Sequence, residues 1–178
     1  MDLKQIGAGA NPPEELNAII EIPAHTAPVK YELDKKTGLL AVDRFLSTSM
    51  VYPANYGLIP CTLCGDGDPL DVLVVTPLPL VHGCMIEVRP VDLMMMTDEK
   101  GEDAKLIAVP VSGVYAGFSK AQSVEDLPGG LKGQVEHFFA QYKAFEPGKW
   151  VEIDGWGGRD KALAEVRDSI ARYQKQGD

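Results

Sequence analysis

The order in which hydrophobic patterns appear limits this chain more than any other feature. Through the first 110 residues, apolar side chains come in short runs broken by Gly, Pro and Asp. Only beyond Pro128 do they recur at helical spacing. Asn17–Ile22, Val29–Leu33, Leu39–Val42, Val72–Val75, Met85–Val91 and Leu106–Pro110 read as strands. Val29, Tyr31 and Leu33 alternate cleanly with Lys30 and Glu32, as a half-buried strand requires. Leu131, Val135, Phe138, Tyr142 and Phe145 fall on one helical face ahead of a Pro147-Gly148 stop. Leu163, Val166, Ile170 and Tyr173 mark a second helix, with a last strand over Lys149–Ile153 between the two. Strands first and helices last favour an α+β fold, with a mostly antiparallel sheet or small barrel, over alternating βαβ units. Residues 1–13 read as an irregular arm and 111–128 as a loop. No linker, repeat or low-complexity tract divides the chain, so residues 1–178 are expected to form a single domain.

The chemistry is concentrated where strands begin. Asp66-Gly67-Asp68-Pro69-Leu70-Asp71 runs directly into Val72-Leu73-Val74-Val75. Gly67 frees the backbone and Pro69 fixes it, so the carboxylates sit on a stiff turn. Asp66 and Asp68 point the same way if this segment is extended. Like charges this close repel unless cations neutralise them, and hard oxygen donors suit Mg²⁺, Mn²⁺ or Ca²⁺. An ordinary acidic surface turn is the alternative. The design recurs at Thr97–Lys105, which leads into Leu106–Pro110. Asp103 and Lys105 share a face if that strand begins at Asp103. If the two turns meet in space, they form a carboxylate site with a lysine beside it. Nucleotide-binding glycine loops and a G-x-S-x-G elbow are absent.

A formal charge of −9 argues against a nucleic-acid binder. It also makes a phosphate ligand hard to hold unless metal ions reverse the local sign. The N-terminal segment lacks the apolar core of a secretory signal, and no run is long enough to span a membrane. The expectation is a cytoplasmic protein without a membrane partner. Three cysteines, an odd number, fit reduced thiols better than a disulfide framework, although Cys61 and Cys64 form a C-x-x-C.

The block Asp66-Gly67-Asp68-Pro69-Leu70-Asp71-Val72 resembles the D-x-D-P-x-D-V signature of soluble family I inorganic pyrophosphatases of the bacterial type. Glu21-Ile22-Pro23, Lys30-Tyr31-Glu32, Val42-Asp43-Arg44, Tyr52–Gly57, Met96–Glu99, Gly101–Lys105 and His137–Lys143 resemble further blocks of that family, in its order. The resemblance implies a five-stranded OB-type β-barrel with flanking helices, and hydrolysis of pyrophosphate to two orthophosphates with Mg²⁺. It implies Asp66, Asp71 and Asp103 as main metal ligands, joined by Asp98, Glu21 and Glu32. Asp68 becomes the base that helps deprotonate the attacking water. Lys30, Arg44, Tyr56, Lys105, Tyr142 and Lys143 become the phosphate-binding groups, with Tyr52 close by. Family members of this type are often homohexamers, so a homo-oligomer is expected. Gln141 stands where a second histidine after His137 would serve subunit contacts.

Overall fold

The computed structural model describes residues 3–34 and 36–176. Eight strands and three helices follow one another along it. They are α1 (Leu3–Ile6), β1 (Leu16–Ile22), β2 (Val29–Leu33), β3 (Leu40–Phe45), β4 (Asn55–Leu58), β5 (Asp71–Val74), β6 (Met85–Asp98), β7 (Gly101–Pro110), α2 (Leu131–Gln141), β8 (Val151–Trp156) and α3 (Gly158–Gln176). Two 3₁₀ turns, Ala116–Phe118 and Val124–Asp126, shape the loop before α2.

Pairing runs β1–β4–β5–β7–β6, and β6 returns to β1, so five strands close a ring. Closure removes the sheet edges and makes this an OB-type barrel with flanking helices. All the ring contacts are antiparallel except β5–β7, which is parallel. β6 is long enough to serve two partners: Met85–Val88 pair with β1, and Met94–Asp98 pair with β8 outside the ring. β2 and β3 form a separate hairpin.

Alternation along the strands feeds two cores. Leu73, Met94, Met96, Ile107 and Val109 pack with Val135, Phe138 and Phe139 of α2. The alternate residues Val72, Val74, Leu106 and Ala108 pack with Leu16, Ile20 and Val88, and with Ala162 and Val166 of α3. The face of α3 expected from spacing is the one that packs, with Ile170 against its edge.

Five local readings differ from the structure. Tyr52–Gly57, which reads as a turn, contains the start of β4, because Asn55 fastens the segment through its side chain. Its amide donates to the Val74 carbonyl at 3.1 Å, and its Oδ1 accepts from the Ala24 amide at 3.1 Å. β6 continues past Val91 to Asp98, because a bulge between Pro90 and Asp92 absorbs the proline. The second acidic segment is a two-residue hairpin tip, with Asp98 paired to Gly101, so Asp103 and Lys105 lie within β7. The N-terminal arm includes the short α1, and α2 ends at Gln141, before Tyr142.

Candidate active site

Register assembles the site. Parallel pairing sets Asp71 opposite Lys105, and the two-residue period of β7 puts Asp103 on the same face as Lys105. The Lys105 ammonium therefore lies 2.5 Å from Asp71 Oδ2 and 2.7 Å from both oxygens of Asp103. It is 3% exposed and lies 5.9 Å from the Tyr56 ring centre and 5.7 Å from that of Phe139. Burial alone would push its pKa down, but Asp71 and Asp103 outweigh that and hold it above the usual lysine value. Burial, with Asp71 beside it, raises the Asp103 carboxyl in spite of Lys105.

Glu21 reaches the site through a bulge. Ile20 pairs with Gly57 and Ile22 with Tyr56, which leaves Glu21 unpaired and free to turn inward. Its carboxylate accepts the Leu33 amide at 2.6 Å. Burial pushes its pKa up to about 7 against the pull of that hydrogen bond.

The hairpin of β2 and β3 brings two cations face to face: Lys30 pairs with Arg44 across the ladder. Like charges opposite each other destabilise a hairpin, and the Asp43 carboxylate, within reach of both, offsets that repulsion. Around them, Lys30 contacts Glu32 and lies 3.3 Å from Asp43. Arg44 lies 2.7 Å from Asp43 and 3.2 Å from Glu146. At the β6–β7 tip, Lys143 donates to Asp98 at 2.7 Å. Lys149 and Lys143 contact Glu99 at 2.5 and 3.3 Å. Partial burial works the other way, but these ammonium groups hold the Glu99 carboxyl down to about 2.

The acidic turn completes the wall. It is not extended: Gly67 takes φ of 88°, and the Asp68 amide donates to Asp66 Oδ1 at 3.0 Å. The turn is held from below. The Cys64 amide donates to the Asp68 carbonyl at 2.7 Å, and the Leu70 amide donates to the Thr62 hydroxyl at 2.8 Å. All three cysteines are free thiols. Burial pushes Cys64 up to about 12, and Cys61 Sγ reaches the Leu3 carbonyl at 3.5 Å.

One cavity of about 160 Å³ is lined by every carboxylate, lysine, arginine and tyrosine that the sequence put forward, apart from Tyr52. Tyr52 is 2% exposed and packs between Tyr56 and Phe138. Sequence reasoning passed over Glu99, Lys149 and the brace from Glu146 to Arg44. Glu99 stood inside the second acidic segment, so its signal was present. Lys149 and Glu146 flank a Pro-Gly turn and carry no pattern of their own.

The inorganic pyrophosphatase family model matches residues 18–174. The chain belongs to the inorganic pyrophosphatase family. An inorganic pyrophosphatase of Ralstonia nicotianae is 54% identical over 98% of this chain and all of its own length. The Thermus thermophilus inorganic pyrophosphatase structure is 44% identical with a TM-score of 0.91, covering 98% of this chain and 99% of its own. A structure from Anaplasma phagocytophilum, described as an inorganic phosphatase, is 47% identical with a TM-score of 0.92, covering 95% and 99% of the two chains. The protein is therefore a hydrolase acting on inorganic pyrophosphate. No helix among the described residues is long and apolar enough to cross a membrane.

The donor chemistry of this pyrophosphatase cleft fits hard divalent cations. Carboxylates outnumber cationic side chains along it, and neither His nor Cys lines it. Among the described residues no three His, Cys, Asp or Glu side chains already enclose a point. Asp71 and Asp103 converge instead on the Lys105 ammonium.

That arrangement carries a prediction. Lys105→Met leaves two carboxylates facing each other, and is expected to lower stability by about 3 kcal/mol in chelator. Mg²⁺ neutralises the same oxygens and should recover a large part of the loss. Urea unfolding with and without Mg²⁺ reads both effects, and a variant with equal losses in the two conditions contradicts the arrangement.

Proposed function

We propose that the pyrophosphatase uses Mg²⁺ and divides the work of the cleft between two sets of side chains. Asp66, Asp71 and Asp103 hold the metal, with Asp98, Glu21 and Glu32 around them. Lys30, Arg44, Tyr56, Lys105, Tyr142 and Lys143 hold the phosphates. The observation that carries this reading is that acids and cations delivered by six different segments line one small cavity.

When bound, Mg²⁺ offsets the substrate's charge and lowers the pKa of a water towards neutrality. Asp68 takes the proton from the attacking water. Arg44 presents a planar fork to two phosphate oxygens, while Lys30 and Lys143 act as point charges. The Tyr56 and Tyr142 hydroxyls are suited to donate hydrogen bonds to an oxyanion, because burial raises both pKa values and keeps them protonated. No side chain in the set needs to form a covalent intermediate, so water attacks phosphorus directly and one orthophosphate leaves.

The site works within a single domain in the cytoplasm, where free thiols stay reduced. A homo-oligomer, and a homohexamer from the resemblance, is supported by Leu78, Val81 and Met85, which are 72%, 71% and 52% exposed on one segment.

Orthophosphate release from pyrophosphate, measured with Mg²⁺ and then with excess chelator, tests the metal assignment. Release should stop with chelator and return when Mg²⁺ is restored in excess. Undiminished release in chelator would remove the metal from the mechanism.

A further inference from the structure

A second cavity, of about 440 Å³, adjoins the cleft. Leu33 and Pro69 line both spaces and form the partition between them. Leu3, Leu63 and Tyr173 supply an apolar body, and among the described residues the charged side chains that line it are Lys4, Lys36 and Asp34, the two lysines exposed. The Asp34 carboxylate is turned to the backbone, accepting the Lys36 and Thr37 amides at 2.8 and 2.7 Å. The volume lies in the range of small-molecule pockets, about 300–1,000 Å³. An apolar interior beside two exposed lysines suits an organic molecule that has an apolar body and one anionic head.

The cavity wall is also the base of the acidic turn. Gly67 lines it directly, and so does the segment Cys61–Leu63. This segment is tied in two directions. Towards the turn, the Thr62 hydroxyl accepts the Leu70 amide at 2.8 Å, and the next residue, Cys64, donates its amide to the Asp68 carbonyl at 2.7 Å. Towards α3, the Leu63 amide donates to the Ser169 carbonyl at 2.9 Å, and Arg172 Nε donates to the Leu63 carbonyl at 2.7 Å. A molecule seated in the cavity touches Gly67 and Pro69 on one side and a segment bonded to Asp68 on the other. It cannot bind equally well to every position of the turn, and that differential affinity is what lets a ligand shift an equilibrium.

We propose that this cavity is a regulatory site for a small amphipathic organic anion, and that its occupancy changes the affinity of the cleft for Mg²⁺. The coupling rests on the acidic turn serving as metal-binding wall. Coupling between two binding sites is reciprocal, so Mg²⁺ must alter the affinity for the anion by the same factor.

The experiment uses the full chain and the fluorescent aryl sulfonate 8-anilinonaphthalene-1-sulfonate, titrated in chelator and in Mg²⁺. The expected result is one site per chain, with an affinity about fivefold different between the two conditions. Lys36→Glu should weaken binding about tenfold. Leu63→Trp, which fills the cavity, should abolish it. Lys36→Glu should hydrolyse pyrophosphate at the parent rate when no sulfonate is present. Absence of saturable binding overturns the proposal, as does binding that neither variant alters. Equal affinity with and without Mg²⁺, in a chain whose hydrolysis requires Mg²⁺, overturns the coupling. If hydrolysis itself needs no Mg²⁺, the metal assignment of the cleft fails, and the two variants still judge the cavity by fluorescence alone.

Discussion

Asp68→Asn is expected to lower pyrophosphate hydrolysis about 10³-fold at saturating Mg²⁺, within the range for loss of a general base. The amide has nearly the size of the carboxylate but cannot take a proton. The backbone of residue 68 is held in the turn whatever its side chain: its amide donates to Asp66 Oδ1 at 3.0 Å and its carbonyl accepts the Cys64 amide at 2.7 Å. The fold should therefore be untouched, with Tm within about 2 °C of the parent. Steady-state orthophosphate release, with circular dichroism alongside, separates chemistry from folding. A variant that keeps more than about a tenth of the parent rate would leave Asp68 without the role of base.

Gly57→Ala should act on the opposite quantity, stability. Gly57 lies in β4 between Ile20 of β1 and Val72 of β5. A Cβ there would fall 1.8 Å from the Ile19 carbonyl oxygen and 2.8 Å from its carbon. Both are backbone atoms of a ring strand, so neither can swing aside as a side chain would. Relieving the clash means parting β1 from β4, which opens the ring beside Glu21 and Tyr56. A loss of about 3 kcal/mol or more follows from such overpacking. In a chain of this size it corresponds to roughly 10 °C in Tm. Thermal unfolding followed by circular dichroism decides it. A Tm within about 2 °C of the parent would show that the strands can part without cost.

These two positions also show what could be read in the chain before its structure. The acidic turn holding Asp68 was visible as three carboxylates and a proline in front of an apolar run, a pattern an ordinary surface turn also explains, and the role of Asp68 itself came from the family resemblance. Alternation put Lys30 and Glu32 on one face of a strand but read as well as a solvated face; only the family resemblance marked them as site residues, and both line the cleft. Gly57 gave no such signal. Its need for a bare Cα arises from a strand 38 residues away in sequence, at Ile19, and local pattern holds no trace of that approach. β4 was hidden for a related reason: Pro53, Asn55 and Gly57 favour turns locally, and the pairing that overrides them is supplied by β1 and β5. The continuation of β6 was concealed by Pro90, because a bulge is a tertiary solution to a local break. Glu146 and Lys149 are the clearest case within the cleft. Their partners Arg44 and Glu99 lie on other elements, and only the closed fold brings them within reach.

The parallel pairing of β5 with β7 has a further meaning for the population of molecules in a preparation. Asp71 meets Lys105 through that register alone, and a slip of one residue would send Asp103 and Lys105 to the opposite face. Many of the apolar neighbours along β7 are aliphatic on both faces, so such a slip would trade one hydrophobic side chain for another over much of its length. The carboxylates and the lysine, not the core, thus discriminate between the right alignment and its nearest competitor. If Asp71, Asp103 and Lys105 do the work proposed for them, a chain aligned wrongly would be compact and rich in strand, yet silent towards pyrophosphate. Specific activity in this fold is therefore a census of correct strand alignment, and one that spectroscopic measures of secondary structure are poorly placed to take.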